Sequence, residues 1–124
     1  MPTLLLLLAL GLAGALGAVA RFGVVEWVAS RWLNHFPLAT FIINISGAFV
    51  LGFVMTAGAS WGSWRVVLGT GFLGGYTTFS TLSFETDSLA RRGHTRYAWL
   101  NALGALAAGI VAVALGIALG SVLR

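Results

Sequence analysis

The sequence predicts an all-α membrane protein with four transmembrane helices, the third of which is broken near its middle. Three observations support this fold class. The chain of 124 residues is 59% hydrophobic and only 8% charged, whereas ordinary soluble domains are about 25% charged. Its apolar residues form four runs, each long enough to cross a bilayer. Glycines and hydroxyl residues interrupt the third run, and these residues do not favour a continuous helix.

The four predicted spans are joined by short linkers, so that residues 1–124 form one four-helix transmembrane domain. A helix needs about 20 apolar residues to cross the hydrocarbon layer. The spans are predicted at about Thr3–Val28, Pro37–Ala57, Trp64–Leu89 and Tyr97–Leu123. A cleaved signal peptide is the alternative for the first run, but that run has no basic n-region and three further apolar runs follow it.

The charged residues favour contact with membrane lipid over contact with nucleic acid. The net charge is +4, yet the few arginines lie mostly at the ends of apolar runs, where they orient helices and meet headgroups. With four spans, Arg65 and Arg124 lie on the side of both termini. The opposite side carries Arg31, Arg91, Arg92 and Arg96. This mild excess indicates outside termini by the positive-inside rule.

Several familiar sites are excluded. The chain has no cysteine, so that disulfides and thiolate metal sites are impossible. Residues 69–74 match G-x-G-x-x-G, but a dinucleotide loop follows a strand in a βαβ unit and this match lies in an apolar run. His35 and His94 fall in linkers, where we expect them to be solvated. No nucleophile and base form a catalytic constellation, and we predict that the protein is not an enzyme.

Polar residues inside the predicted spans are candidates for an ion path. Such residues are costly in lipid unless they face protein, water or a substrate. Thr40 and Asn44 are one turn apart on the second span and share a face. Arg21 lies late in the first span, and Asn101 lies near the start of the fourth. Interhelical hydrogen bonding is the alternative role for Thr40 and Asn101, and snorkelling to the interface is the alternative for Arg21.

The stretch GFLGGYTTFSTLSFE, residues 71–85, gives the strongest indication of function. A break near Gly74–Thr78 would divide the third span into two half-helices. The carbonyls that end the first half favour a cation, and the amides that begin the second favour an anion. Irregular backbone survives in a membrane only where it lines a cavity or is buried in protein. Ser80, Thr81 and Ser83 would supply donors, and Glu85 lies near the end. The alternative is a packing kink with its hydroxyls bonded to the helix.

These residues resemble the CrcB/Fluc family of fluoride channels. GFLGGYTTFSTLSFET is similar to the third-helix signature of the family, and GAVARF and FPLATFIINISGAFVLGF are similar to its other two motifs. The resemblance covers the whole chain. It implies a multi-pass protein of the inner (plasma) membrane that exports cytoplasmic fluoride passively. It also implies an antiparallel, dual-topology homodimer with two pores and a structural sodium ion, held at the two-fold axis by the carbonyls of Gly74 and Thr77.

The resemblance also implies the residues of the ion pathway. By motif position they are Phe79, Asn44, Arg21, Ser80, Thr81, Thr40, Leu82, Ser83, Glu85 and Asn101. Two of them depart from the family pattern. Leu82 stands where a second pore phenylalanine is expected, and Asn101 stands where the family often has a tyrosine. We expect Phe79 and Leu82, three residues apart, to share a helical face.

Two other functions remain open at this stage. Small dual-topology multidrug exporters also have four short spans, but they resemble one another in a glutamate central to the first helix, whereas this chain has only Glu26 near the end of that helix. A non-transporting membrane assembly subunit would explain the glycine-rich helices but would leave Asn44 and the hydroxyl-rich stretch without a role.

Overall fold

The computed structural model describes residues 1–124, and all of its regular structure is helical. The helices are α1 (Thr3–Ala29), α2 (Leu38–Ala57), α3 (residues 63–76), α4 (Phe79–Arg91) and α5 (Thr95–Leu123). A short 3₁₀ turn, Gly58–Ser60, extends α2. Three helical stretches are long and apolar enough to cross a membrane, namely α1, α5 and α2 with its extension. The fold is therefore that of a multi-pass membrane protein.

The predicted boundaries agree with the helix ends to within two residues. The third predicted span corresponds to α3 and α4 taken together. Pro37 directly precedes α2, as expected for a residue that cannot donate a backbone hydrogen bond and therefore suits a helix start. Gly93, between α4 and α5, has a φ of 83°, a conformation that glycine adopts without steric cost.

The break in the third span lies at Thr77 and Thr78, at the end of the predicted interval. Thr77 has a ψ of 159°, and Thr78 has φ −149° and ψ 121°, so both residues are extended. Gly74, at which the predicted interval begins, and Gly75 lie within the helical segment Leu73–Tyr76. The prediction that these glycines open the helix is therefore wrong. A π-helical segment, Val67–Phe72, precedes them and was not predicted.

The glycines instead let helices approach closely. The α1 helix packs against α3, and α2 packs against α5. A Cβ atom added at Gly17 would overlap the carbonyl oxygen of Phe72, and one at Gly75 would overlap the backbone of Gly14. Gly116 stands equally close to the carbonyl of Phe49. In lipid, where apolar residues gain nothing by leaving water, such packing is a main source of helix association.

Polar groups are concentrated in one region of this helix bundle. Leucines along α1 and α5 are exposed, as expected for surfaces that face lipid. Only three polar or charged residues are buried, and they are Thr40, Thr78 and Asn101. They belong to α2, the break and α5, which identifies the surroundings of α4 as the region to consider for function.

The close contact between α1 and α3 can be tested with two alanine substitutions in one helix. Gly17→Ala should destabilise the protein by about 1–3 kcal/mol, because the added methyl group overpacks the contact with Phe72. Gly11→Ala is the matched control, because a Cβ at Gly11 has no atom within 4 Å. Thermal unfolding in detergent measures both variants. Equal melting temperatures would contradict the proposed contact.

Candidate functional site

A single side chain holds the break between α3 and α4. The Nδ2 atom of Asn44 donates to the carbonyl of Thr78 at 2.9 Å, and the backbone N–H of Thr78 donates to Oδ1 of Asn44 at 2.9 Å. An amide side chain has one donor end and one acceptor end, so Asn44 satisfies both polar groups of a peptide that has left the helix. We call this pair of hydrogen bonds the Asn44–Thr78 clamp. It stabilises extended backbone that lipid would otherwise penalise.

The break leaves the four carbonyls of residues 74–77 without their usual helical donors. In a continuous helix the N–H of Thr78 would donate to the carbonyl of Gly74, but here it donates to Asn44. The N–H of Thr81 would likewise donate to the carbonyl of Thr77, but it donates at 3.2 Å to Oγ1 of Thr78. Gly74 and Thr77 are the two residues whose carbonyls the sequence resemblance assigns to sodium.

Thr78 also begins α4, although it was not among the predicted site residues. Its Oγ1 accepts the backbone N–H of Thr81, which makes Thr78 the N-cap of the helix. The same hydroxyl lies 3.3 Å from Oγ of Ser80 and 3.2 Å from Oγ1 of Thr81. The preference of threonine for N-cap positions would have identified it. Three neighbouring hydroxyls therefore share one network at the start of α4.

A second polar contact joins α2 to the middle of α4. The hydroxyl of Thr40 donates a hydrogen bond to Oε1 of Glu85. Thr40 lies one turn before Asn44, on the same face of α2. Both residues therefore bond to the segment from Thr78 to Glu85, and together they define a polar seam between the two helices.

Two cavities border α4 at the break. The first, of about 370 Å³, is lined by Asn44, Gly47, Ala48, Leu51, Gly69, Leu73, Gly74, Thr77, Thr78, Phe79 and Leu82. The second, of about 460 Å³, is lined by Phe79, Leu82, Ser83, Thr86, Asp87, Ala90 and Ala102. Phe79 and Leu82 line both cavities, as expected for residues on one helical face. Phe79 is 80% exposed in the single chain.

Asn101 makes a further contact between α4 and α5. Its Nδ2 donates to Oγ1 of Thr86 at 2.9 Å, and the Thr86 hydroxyl donates to the carbonyl of Leu82. The Oδ1 atom of Asn101 is buried and has no hydrogen-bond partner, which is unusual for a buried polar atom. Thr86 was not predicted as a site residue. Its role depends on Asn101, which lies 15 residues further along the chain.

Other predicted residues occupy different positions. Arg21 is partly exposed and forms no hydrogen bond or ion pair, so that the single chain does not join it to the polar seam. Ser83 is exposed and lines the second cavity only. The linker histidines were expected to be solvated, and His35 is exposed while His94 is partly exposed. Their rings also stack, with centroids 4.1 Å apart, a contact that was not predicted.

Comparison with known proteins identifies the family. The family model described as "CrcB-like protein, Camphor Resistance (CrcB)" matches residues 8–117. The chain belongs to the CrcB-like family. The match includes α2, the break, α4 and most of α5, and therefore includes every residue of the Asn44–Thr78 clamp and the polar seam.

Curated CrcB-like relatives cover nearly the whole chain. "Fluoride-specific ion channel FluC 1" of Leifsonia xyli is 46% identical over 121 residues, which are 95% of this chain and 88% of the relative. The protein of the same name from Listeria monocytogenes is 46% identical over 89% of this chain and 92% of its own. "Fluoride-specific ion channel FluC 2" of Bacillus cereus is 41% identical over 88% of this chain and 92% of its own. These names describe ion channels and not enzymes.

The Asn44–Thr78 clamp can be tested by removing its side-chain half. Asn44→Leu keeps a similar side-chain size but leaves the N–H and the carbonyl of Thr78 without partners. We expect a loss of about 2–6 kcal/mol in unfolding free energy, because each buried unsatisfied group costs about 1–3 kcal/mol. Chemical unfolding in detergent and hydrogen exchange at the Thr78 amide measure the effect.

Thr56→Val is the matched control on the same helix. The Thr56 hydroxyl bonds only the Gly52 carbonyl within α2, and its removal should cost less than about 1 kcal/mol. If Asn44→Leu were no more destabilising than Thr56→Val, and if exchange at Thr78 stayed slow, the clamp would not hold the break.

Proposed function

We propose that this chain forms a passive ion channel selective for fluoride, through which fluoride leaves the cytoplasm. The observation that carries the proposal is the Asn44–Thr78 clamp. It places a break, freed carbonyls and a cluster of hydroxyl donors beside one cavity of a membrane protein. CrcB-like relatives that are 41–46% identical are named fluoride-specific ion channels. We therefore infer that the protein is a channel and not an enzyme.

The side chains around the break suit a small, strongly hydrated anion. Fluoride must exchange its water shell for other hydrogen-bond donors in order to cross lipid. Asn44 keeps a second N–H beyond the one that it gives to Thr78, and Ser80 and Thr81 contribute hydroxyls. The edge of the Phe79 ring is the positive part of its quadrupole and can approach an anion as well. A narrow path of this kind would exclude the larger chloride ion.

We propose that the ion path follows α4 from the break toward Glu85. Phe79 and Leu82 lie between the two cavities, and Ser83 lines the second. Asn101 of α5 contacts α4 through its hydrogen bond to Thr86. A rotation of the Asn101 side-chain amide would present an N–H group to the ion path. Leu82 supplies no ring edge, so Phe79 would be the only aromatic contact of its face. Arg21 is proposed for the path on the family resemblance alone.

We further propose that α3 and α4 together form a fourth membrane span and that two copies of the chain pair antiparallel in the inner membrane. A single chain leaves the cavity at the break open and Phe79 largely exposed. A second copy would cover both and would create two equivalent pores. The four-to-two distribution of arginines between the two sides is only a mild bias, and it is compatible with dual topology. A purified protein with the mass of one chain would contradict this assembly.

A sodium ion fits the break of such a dimer. Hard cations bind oxygen ligands, and carbonyls that lack hydrogen-bond donors are suitable ones. The carbonyls of Gly74 and Thr77 have both lost their helical donors, and both residues line the cavity at the break. Two copies would supply four such carbonyls. The ion would neutralise their partial charges and hold the two breaks together, and we assign it a structural role.

Reconstitution into liposomes tests the proposed function. With a potassium ionophore present to balance charge, liposomes loaded with potassium fluoride should release fluoride when the protein is present, whereas liposomes loaded with potassium chloride should retain chloride. Equal release of both anions would contradict selectivity, and export of a cationic dye driven by a proton gradient would favour the exporter. Protein purified and reconstituted without sodium should conduct less fluoride. Full activity after verified sodium removal would contradict the structural ion.

The role of the Phe79 ring can be tested by an aliphatic substitution. Phe79→Ile should lower the fluoride release rate about two- to thirteenfold, because an edge contact of about 0.5–1.5 kcal/mol would be lost and Leu82 cannot replace it. Phe22→Ile is the control, because Phe22 is also an exposed phenylalanine and lines none of the main cavities. Equal rates for the two variants would show that the ring edge takes no part in conduction.

A further inference from the structure

A third cavity lies where the loop between α1 and α2 meets the end of α4. Its volume is about 360 Å³. It is lined by Asn34, His35, Phe36, Pro37, Phe84, Glu85, Ser88, Leu89 and Arg92. Glu85 forms part of its wall and is bonded to Thr40, so that the cavity adjoins the polar seam. None of Asn34, His35 and Arg92 was among the predicted site residues.

The polar wall of this cavity offers several donors. The backbone N–H of His35 donates to Oδ1 of Asn34 at 2.6 Å. The side-chain nitrogen of Asn34 takes no part in this hydrogen bond and is still a donor. The Nε atom of Arg92 lies 3.4 Å from the carbonyl of Ser88, and the two terminal nitrogens of its guanidinium make no hydrogen bond. Arg92 therefore forms no ion pair, and it lines the same cavity as the Glu85 carboxylate.

The neighbouring arginine has a different environment. Arg91 forms an ion pair with Asp87, with 2.7 Å between Nε and Oδ2. The two side chains are 78% and 61% exposed, and Arg91 does not line the cavity. The charge of Arg91 is thus compensated by Asp87, whereas Arg92 forms no ion pair and lines the cavity.

The two histidines hold the cavity mouth together. His35 belongs to the loop before α2, and His94 belongs to the short connection between α4 and α5. Their rings stack with centroids 4.1 Å apart, and both rings lie 6.4 Å from the ring of Tyr97. This contact ties the two loops and fixes the position of His35 on the cavity wall.

We propose that this cavity is an anion-capture site at one mouth of the ion pathway, with Arg92 as the residue that attracts fluoride. The inference rests on the proposed function. A carboxylate beside an anion path repels the ion that must pass it, and Glu85 occupies that position. The guanidinium of Arg92 offsets this repulsion within the same cavity. Asn34 and His35 add donors that exchange with the outer water of a hydrated fluoride ion.

Neighbouring arginines provide a matched experiment. Fluoride release from liposomes is measured at low fluoride and low ionic strength for wild type, Arg92→Gln, Arg92→Lys and Arg91→Gln. Arg92→Gln should lower the rate about two- to fourfold, as expected for one charge several ångströms from the path. Arg92→Lys should retain the wild-type rate, and Arg91→Gln should change it less than about 1.5-fold. High salt or saturating fluoride should remove the difference, because the charge is then screened or the site is filled.

The outcomes separate this inference from the proposed function. If the wild-type protein releases no fluoride, the proposed function fails. If the wild type conducts fluoride and Arg92→Gln matches Arg91→Gln, the capture site is overturned. A loss in Arg92→Gln that persists at high salt, or that Arg92→Lys shares, also overturns it, because the effect would then reflect structure and not charge. Size-exclusion profiles of the variants confirm that each one folds.

Discussion

The Asn44–Thr78 clamp is the interaction on which the rest of the site depends. A membrane offers no water to a peptide that leaves a helix, so an open peptide needs partners from the protein. One amide side chain supplies both of them. Because Thr78 donates to Asn44, the carbonyl of Gly74 is released. Because Thr78 caps α4, the carbonyl of Thr77 is released as well. The clamp and the Thr78 cap together thus free the acceptors and order the donors of the proposed ion sites.

The helix packing keeps this arrangement in place. Glycines bring α1 against α3 and α2 against α5 at backbone contact distance. The first contact fixes the segment that ends at the break, and the second fixes the helix that carries Asn44. The polar seam then aligns α4 with α2 through Thr40 and Glu85. Apolar packing therefore sets helix positions, and a few buried polar groups determine where the third span opens.

Much of this fold could be predicted from the sequence, because the helices are long and their apolar runs have clear ends. The break was predicted to within a few residues from the glycines and threonines near it. The cause of the break was not predicted, because Gly75 allows close helix packing and the clamp joins residues that are 34 positions apart. Thr86 and the stacked histidines were missed for the same reason. The tertiary structure determines which residues they contact, and a local sequence pattern does not reveal it.

The position of Asn44 has a consequence for how the protein is made. Asn44 belongs to α2, which precedes Thr78 in the chain, so the partner of the open peptide is synthesised first. In the proposed fourth membrane span, α3 and α4 would then enter the bilayer against a helix that already carries the required donor and acceptor. The order of the chain is thus compatible with membrane insertion, because the extended backbone at Thr78 is synthesised after the side chain that satisfies it.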